Sequence, residues 1–275
     1  MNSLRILTLL SLICVSQLAG ARCIAEKIIE HEFERSTLNI LYLNALAGSL
    51  DITGHNTDKI VFRGKACADA LHFLDRINLD IVAEDSELTL TAIIPYNDDD
   101  FDTAYAYMDI ELSLPEDLTI AIKDSSGNIS IEDAQISLID DNSGEIDVRD
   151  SSGDLVIKDS SGDINIRDHR GHITLTDSSG DIDLSGITGD VTIPGDSAGE
   201  IDIDTVSGFV RIDNDSSGDI EIESVGKDVT IGNDGSGRVR VAHVGGDFIL
   251  ESKGSGNVKT REVQGIVYLP RNKTF

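Results

Sequence analysis

Residues 215–223 read Asp-Ser-Ser-Gly-Asp-Ile-Glu-Ile-Glu, and variants of this nonapeptide recur through the second half of the chain, as at 177–185, Asp-Ser-Ser-Gly-Asp-Ile-Asp-Leu-Ser. The latter part of the unit alternates apolar and polar residues with period two, which makes a half-buried strand of about four residues. The first part is a turn, because short Asp and Ser side chains bond their own backbone and Gly tolerates positive φ. Helical spacing is absent.

The copies fall on a fixed period. One series of turn positions runs Ser178, Ser197, Ser216, Gly235, Gly254, and an interleaved series runs Ile187, Val206, Val225, Val244, Val263, both in steps of nineteen. Upstream the register continues in steps of eighteen through Asn142, Ser160 and Ser178, and through Ser151 and His169. Such a period marks a stacked-repeat architecture, in which no unit buries its apolar side alone. From the pair Ile129 and Ile131 to the pair Val267 and Leu269 there are sixteen such strands. The expected fold is therefore all-β, a parallel β-solenoid of about eight two-strand coils with 18–19 residues per coil. Strands one coil apart run parallel at roughly 4.8 Å, so the repeats predict a rod of roughly 40 Å with a thin aliphatic interior. Its two edges differ. The column Ile187, Val206, Val225, Val244 and Val263 reads as a buried seam, and the Ser and Gly column reads as a wet edge.

Met1 to Ala21 has the parts of a secretory signal: Arg5, an apolar run from Ile6 to Val15, and small residues at Ala19, Gly20 and Ala21. That run is too short to span a bilayer as a helix. Cleavage after Ala21 leaves Cys23 and Cys67 in an oxidising compartment, where a pair becomes a bridge; cleavage after Ala25 leaves Cys67 alone. Strand-like runs at Leu38–Leu43, Ser49–Thr53, Lys59–Arg63, Ile77–Ala83, Glu87–Ile94, Tyr107–Leu114 and Leu118–Ile122 lack the tight repeat and suit a cap over the exposed solenoid end. Asp98, Asp99, Asp100 and Asp102 read as a solvated loop tip. The expected layout is a leader at 1–21, a β-rich capping region at 22–123, repeats at 124–270 and a tail at 271–275.

The stretches Gly48-Ser-Leu-Asp-Ile-Thr-Gly54, Lys59-Ile-Val-Phe-Arg-Gly64, and Leu114-Pro115 leading into Lys123-Asp-Ser-Ser-Gly-Asn-Ile129 and the repeats, resemble a family of bacterial exported β-strand-repeat proteins of unknown function described as putative adhesins. Cys23 with Gly64-Lys-Ala-Cys67 is similar to a Gram-negative subgroup. The resemblance covers nearly all of the mature chain and implies a binding or structural role without catalytic residues.

Gly195-Asp-Ser-Ala-Gly199 fits the Gly-x-Ser-x-Gly pattern of serine hydrolases, but Ser197 falls in the turn series and no helix follows it. Polysaccharide-active β-helices are a nearer enzymatic rival, except that no strand-bound basic cluster is read beside the carboxylates. His169 and His172 flank the Arg170-Gly171 turn and read as a solvated turn variant rather than a metal pair. A net charge of −28 with few aromatics and no Trp excludes nucleic acid, which needs a basic surface and stacking platforms.

The period also stacks carboxylates: Asp183 and Ser185, then Asp202 and Asp204, then Glu221 and Glu223, all at outward positions of one sheet. Like charges across a ladder repel, so either solvent and salt absorb the repulsion or cations bind. Oxygen-rich surfaces of this kind suit calcium, which makes Asp202, Asp204, Glu221 and Glu223 the candidate ligands against a solvated acidic face. From Asp196 to Asp234 eleven acidic and two basic residues give −9, whereas from Gly235 to Phe275 three acidic and seven basic give +4. Ile249 and Tyr268 also turn apolar side chains outward where Thr192, Arg211 or Thr230 stand elsewhere. The chain is expected to be a non-enzymatic envelope or secreted module for a glycan, envelope or protein ligand, open to oligomer formation through its C-terminal coil. A calcium-responsive extracellular scaffold is the rival binding class.

Overall fold

A computed structural model describes residues 7–8, 13–14, 23–35, 37–95 and 106–270. Most of the expected leader, the acidic stretch Asp98, Asp99, Asp100 and Asp102, and the tail 271–275 lie outside the described residues. The chain is nearly all β, and its parallel stacked coils form a β-solenoid of about eight turns. It divides into two compact units, Met1–Gln135 and Ile136–Phe275.

In the C-terminal unit two parallel sheets face each other. One stacks Ile146–Arg149, Ile164–Arg167, Ile182–Ile187, Ile201–Val206, Ile220–Val225, Val239–Val244 and Val258–Val263. The register is unbroken: Ile164 pairs with Ile182, Ile182 with Ile201, Ile201 with Ile220, and Ile220 with Val239. The opposite sheet runs from Leu155–Lys158 through Ile173–Thr176, Val191–Gly195, Val210–Asp215, Val229–Ser236 and Phe248–Ser255 to Val267–Tyr268. Alternation puts Ile201, Ile203, Ile220 and Ile222 inside, each at most 1% exposed, and leaves Asp202 and Asp204 outside. Each buried Ile contributes about 1.5–3 kcal/mol, and all of them share one interior. The turns demand glycine. At Gly218, with φ of 147°, a Cβ would stand 1.6 Å from the Gly199 carbonyl oxygen, so only a residue without a side chain lets the rungs close to ladder distance.

The seam is buried as read from Ile187 through Val244, but its first rungs are polar: Ser151 and His169 occupy the same column and are fully buried. The reading of His169 as a solvated turn residue is corrected. Its Nε2 donates to the Gly153 carbonyl at 2.8 Å, which leaves Nδ1 to accept from Ser151 Oγ at 2.8 Å. His172 is exposed. The wet edge is exposed as read at its serines, but a buried row lies beside it. Ser178, Ser197 and Ser216 face solvent, yet the residue before each turn is a buried carboxyl: Asp141, Asp159, Asp177, Asp196, Asp215 and Asp234, none more than 5% exposed. At Asp141, Asp159 and Asp177 one oxygen serves the turn, as where Asp159 Oδ1 accepts from the Ser160 amide at 2.7 Å and from Ser161 at 3.3 Å. This Asx geometry holds the turn shut and carries the carboxyl inward with it.

The N-terminal unit already contains a coil. Ile40 pairs with Thr119 and Leu50 with Ile129, the same shift of 79 residues, so Ile40–Asn44 and Leu50–His55 are stacked parallel on Thr119–Lys123 and Ile129–Glu132. The chain between them folds mostly as antiparallel strands. Lys59–Ala68 runs between Ala25–Glu34 and Ala106–Pro115, and Asn78–Glu84 forms a hairpin with Glu87–Ile93. The strand Ala25–Glu34 and the four-residue helix Leu71–Leu74 were not read from the sequence. Glu fills every outward site of that strand except Ile28, and its buried set is only Ala25, Ile29 and Phe33, with Lys27 and His31 between them. Cys23 is bridged to the buried Cys67 with Cα atoms 5.5 Å apart, tying the approach to Ala25–Glu34 onto Lys59–Ala68. No described helix is long and apolar enough to cross a membrane.

Candidate functional site

Two adjoining features of the C-terminal unit carry chemistry: the outward surface of the acidic sheet and a trough along the seam edge. On the sheet, register aligns Asp183, Asp202, Glu221, Arg240 and Lys259 in one column, and Ser185, Asp204, Glu223, Ala242 and Arg261 in the next. Strand alternation holds these side chains outward, and the step of nineteen superimposes them.

The four candidate calcium ligands are brought side by side, but two have protein partners. Arg240 Nη1 donates to Glu221 Oε2 at 2.9 Å. Glu223 Oε1 lies 2.9 Å from His243 Nδ1 and 3.8 Å from Arg261 Nη2. Asp202 keeps acidic neighbours. Desolvation raises its carboxyl above the ordinary value, and Asp183, Glu221, Glu200 and Asp204 push the same way, tempered by solvent at this exposed site. Among the described residues no group of three or more His, Cys, Asp or Glu side chains is set to hold a metal ion. The expectation that no strand-bound basic cluster stands beside the carboxylates is overturned: Arg240, Lys259 and Arg261 continue the same columns. Neutralisation by neighbouring rungs was thus a third answer to the repulsion, reached by carrying the same step of nineteen on to Arg240, Lys259 and Arg261.

The trough runs beside the seam and has a volume of about 750 Å³. Its floor is Ile187, Val206 and Val225, and its walls carry Thr188, Thr205, Ser207, Ser224, His243 and Gln264. The lip is a column of left-handed residues, with φ of 70° at Gly186, 59° at Thr205 and Ser224, and 54° at His243 and Glu262. A non-glycine residue in this conformation costs about 1–2 kcal/mol. Repeating it at successive rungs turns the chain sharply and sets Thr205, Ser224, His243 and Glu262 along the lip. His243 joins trough to sheet, its ring between Glu223 and Glu262, with Nε2 3.2 Å from Glu262 Oε2. The sequence signal was available: positions 205, 224 and 243 are polar residues directly before each seam residue.

Neither serine arrangement has the geometry of a nucleophile. Ser197 lies exposed in the turn between Val191–Gly195 and Ile201–Val206, with no helix after it. Ser151 does touch His169, but both are sealed in the seam, and the ring's other nitrogen is committed to a carbonyl. What remains is a surface that offers hydroxyl, amide, imidazole and carboxylate groups over an aliphatic floor.

No family model matches the chain, and no curated protein matches it. Among solved structures it is similar to a putative adhesin from Bacteroides fragilis NCTC 9343, at 14% identity over 85% of this chain and 96% of that one, with a TM-score of 0.41. A putative adhesin from Parabacteroides distasonis ATCC 8503 gives 14% identity, 85% and 96% coverage and a TM-score of 0.40. A putative cell adhesion protein from Clostridium sporogenes ATCC 15579 gives 12%, with 72% of this chain and 99% of that one covered, at a TM-score of 0.38.

Proposed function

We propose that the chain is a non-enzymatic binding module of a bacterial envelope, and that its seam trough holds an extended, hydroxyl-rich ligand, a linear glycan. The trough carries the reading. It is open and polar-walled, and it sets hydroxyl, imidazole and amide groups along successive rungs, a spacing of roughly 4.8 Å that suits a chain of repeating units. Its aliphatic floor suits the apolar face of a sugar ring, and its hydroxyls and Gln264 amide pair with sugar hydroxyls. Export is part of the proposal, and the bridge between Cys23 and Cys67 supports it, since such bonds persist in oxidising compartments.

The test is binding of the exported chain to an array of immobilised glycans. Ser207→Trp and Gln264→Trp, each placing a bulky ring in the trough, are expected to abolish the signals that the native chain gives. Thr192→Trp, on the outward side of the opposite sheet, is expected to leave them unchanged. A native chain that binds no glycan, or trough variants that bind like it, would overturn the reading.

A further inference from the structure

We propose that the chain associates head to tail with a second copy of itself, the edge strand Ala25–Glu34 of one copy adding to the edge strand Val258–Val263 of the next. The receiving edge is the last rung of the C-terminal unit. Val258–Val263 pairs with Val239–Val244 on one side, and among the described residues nothing pairs with its other side. One rung earlier Val239, Val241 and Val244 are buried; at the last rung Val258 and Val263 are half-exposed and Thr260 is exposed. The opposite sheet ends likewise, with Val267 and Leu269 each 41% exposed and Tyr268 56% exposed. Unpaired amides and carbonyls above an open apolar interior are a template for an added strand.

Charge selects the occupant. The receiving strand presents Lys259 and Arg261 outward, so two copies joined by this same edge would set basic side chains against basic ones, which destabilises a ladder. The complement is a strand with apolar residues inward and acidic residues outward. Ala25–Glu34 comes near to such a strand: Ala25, Ile29 and Phe33 are buried, with Lys27 and His31 on the same side, and Glu26, Glu30, Glu32 and Glu34 lie on the other side with Ile28. Lys65, Arg63 and Lys59 of the neighbouring strand already face Glu26, Glu30 and Glu32, but a carboxylate accepts several hydrogen bonds, and Glu34 has no ion-pair partner among the described residues.

The availability of that edge is tied to export. Its inner side pairs with Lys59–Ala68, while its outer side is met by backbone of the expected leader, Leu7 opposite Glu32 and Ile13 opposite Lys27. Loss of the leader strips these partners and leaves an acidic edge ten residues long. In the other sheet of the N-terminal unit, Asn78–Glu84 is also an edge and carries Val82 at 42% exposure, an apolar match for Tyr268. Because donor and acceptor are different strands, the contact is heterologous, and it either closes a ring or propagates.

Sedimentation of the exported chain over a range of concentrations tests this. The native chain is expected to form species of two or more chains that dissociate as salt is raised, and the precursor with its leader is expected to remain single. K259E/R261E and E30K/E34K are each expected to lose association, and mixing the two in equal amounts is expected to restore dimers, since each keeps the native edge that the other needs. A native chain that stays single at every concentration, a K259E/R261E variant that associates like the native chain, or a mixture that stays monomeric would overturn the proposal.

Discussion

Aspartate at the start of each Asp-Ser-Ser-Gly turn was legible as a turn residue, but its burial was not. The Asx bond at Asp159 and Asp177 places the second oxygen inside without a hydrogen-bond partner, and at Asp196 and Asp215 both oxygens lack one. Desolvation raises Asp159 and Asp196 to about 6 and Asp215 to about 7, with the neighbouring aspartates adding to the rise. Lys253 closes the column. It pairs in register with Asp234, and its Nζ lies 2.7 Å from Asp234 Oδ2 and donates to the Gly237 carbonyl at 2.8 Å. Lys253→Met should therefore destabilise the chain by about 3–5 kcal/mol, the cost of a buried charge left alone. Adding Asp234→Asn should recover most of it. A double-mutant cycle by denaturant unfolding checks this, and independent, additive effects of the two changes would count against the pairing.

At the scale of the strand, inward and outward positions should respond oppositely. Ile220→Asp puts an unpaired carboxylate into an interior shared by several coils and should cost several kcal/mol, with the neighbouring coils lost together. Asp202→Asn removes one of several adjacent outward carboxylates and should be neutral to slightly stabilising, within about 0.5 kcal/mol. Hydrogen exchange across the unit would show both, and equal small effects would contradict the alternation. The bridge acts on a different element. Reducing Cys23–Cys67 reopens a loop of 44 residues and should destabilise the N-terminal unit by roughly 2–4 kcal/mol, seen as a lower melting temperature in reductant. An unchanged melting curve in reductant would show that the bridge contributes no stability. The strands of the repeat were readable because period two and period nineteen reinforce each other. Ala25–Glu34 was not, because a ten-residue edge strand with Glu, Lys and His at most sites carries little alternation of its own.

For the whole molecule the buried column sets a pH dependence. Carboxyls raised from 3.8 toward 6 and 7 bind protons in the folded chain that the unfolded chain has already released, so stability falls as pH rises through that window. His169 acts the other way. Burial lowers its value below 6.5, so on acidification the unfolded chain takes the proton first and stability is lost. Burial lowers His31 in the same sense, but the raised carboxyls outnumber the two imidazoles, and the melting temperature should rise from about pH 8 to about pH 5. Asp215→Asn should flatten the upper part of that rise and stabilise the chain near pH 8 by on the order of 2 kcal/mol. A melting temperature that falls steadily over the same range would refute the account.

By itself the sequence determined the period, the all-β class, the two-strand coil, the inward and outward sets and the pairing of outward residues one rung apart. These follow from local rules, since alternation selects the face, Asp, Ser and Gly select the turn, and a constant step selects the partner. Tertiary structure alone decided what lies between residues that are neighbours only after coiling. It sank the turn aspartates, sealed His169 against Ser151, set Arg240 on Glu221 and His243 beside Glu223, and placed a coil at Ile40–His55 ahead of its partners at Thr119–Glu132. Each depends on desolvation and charge summed over several rungs, and no single repeat contains that sum.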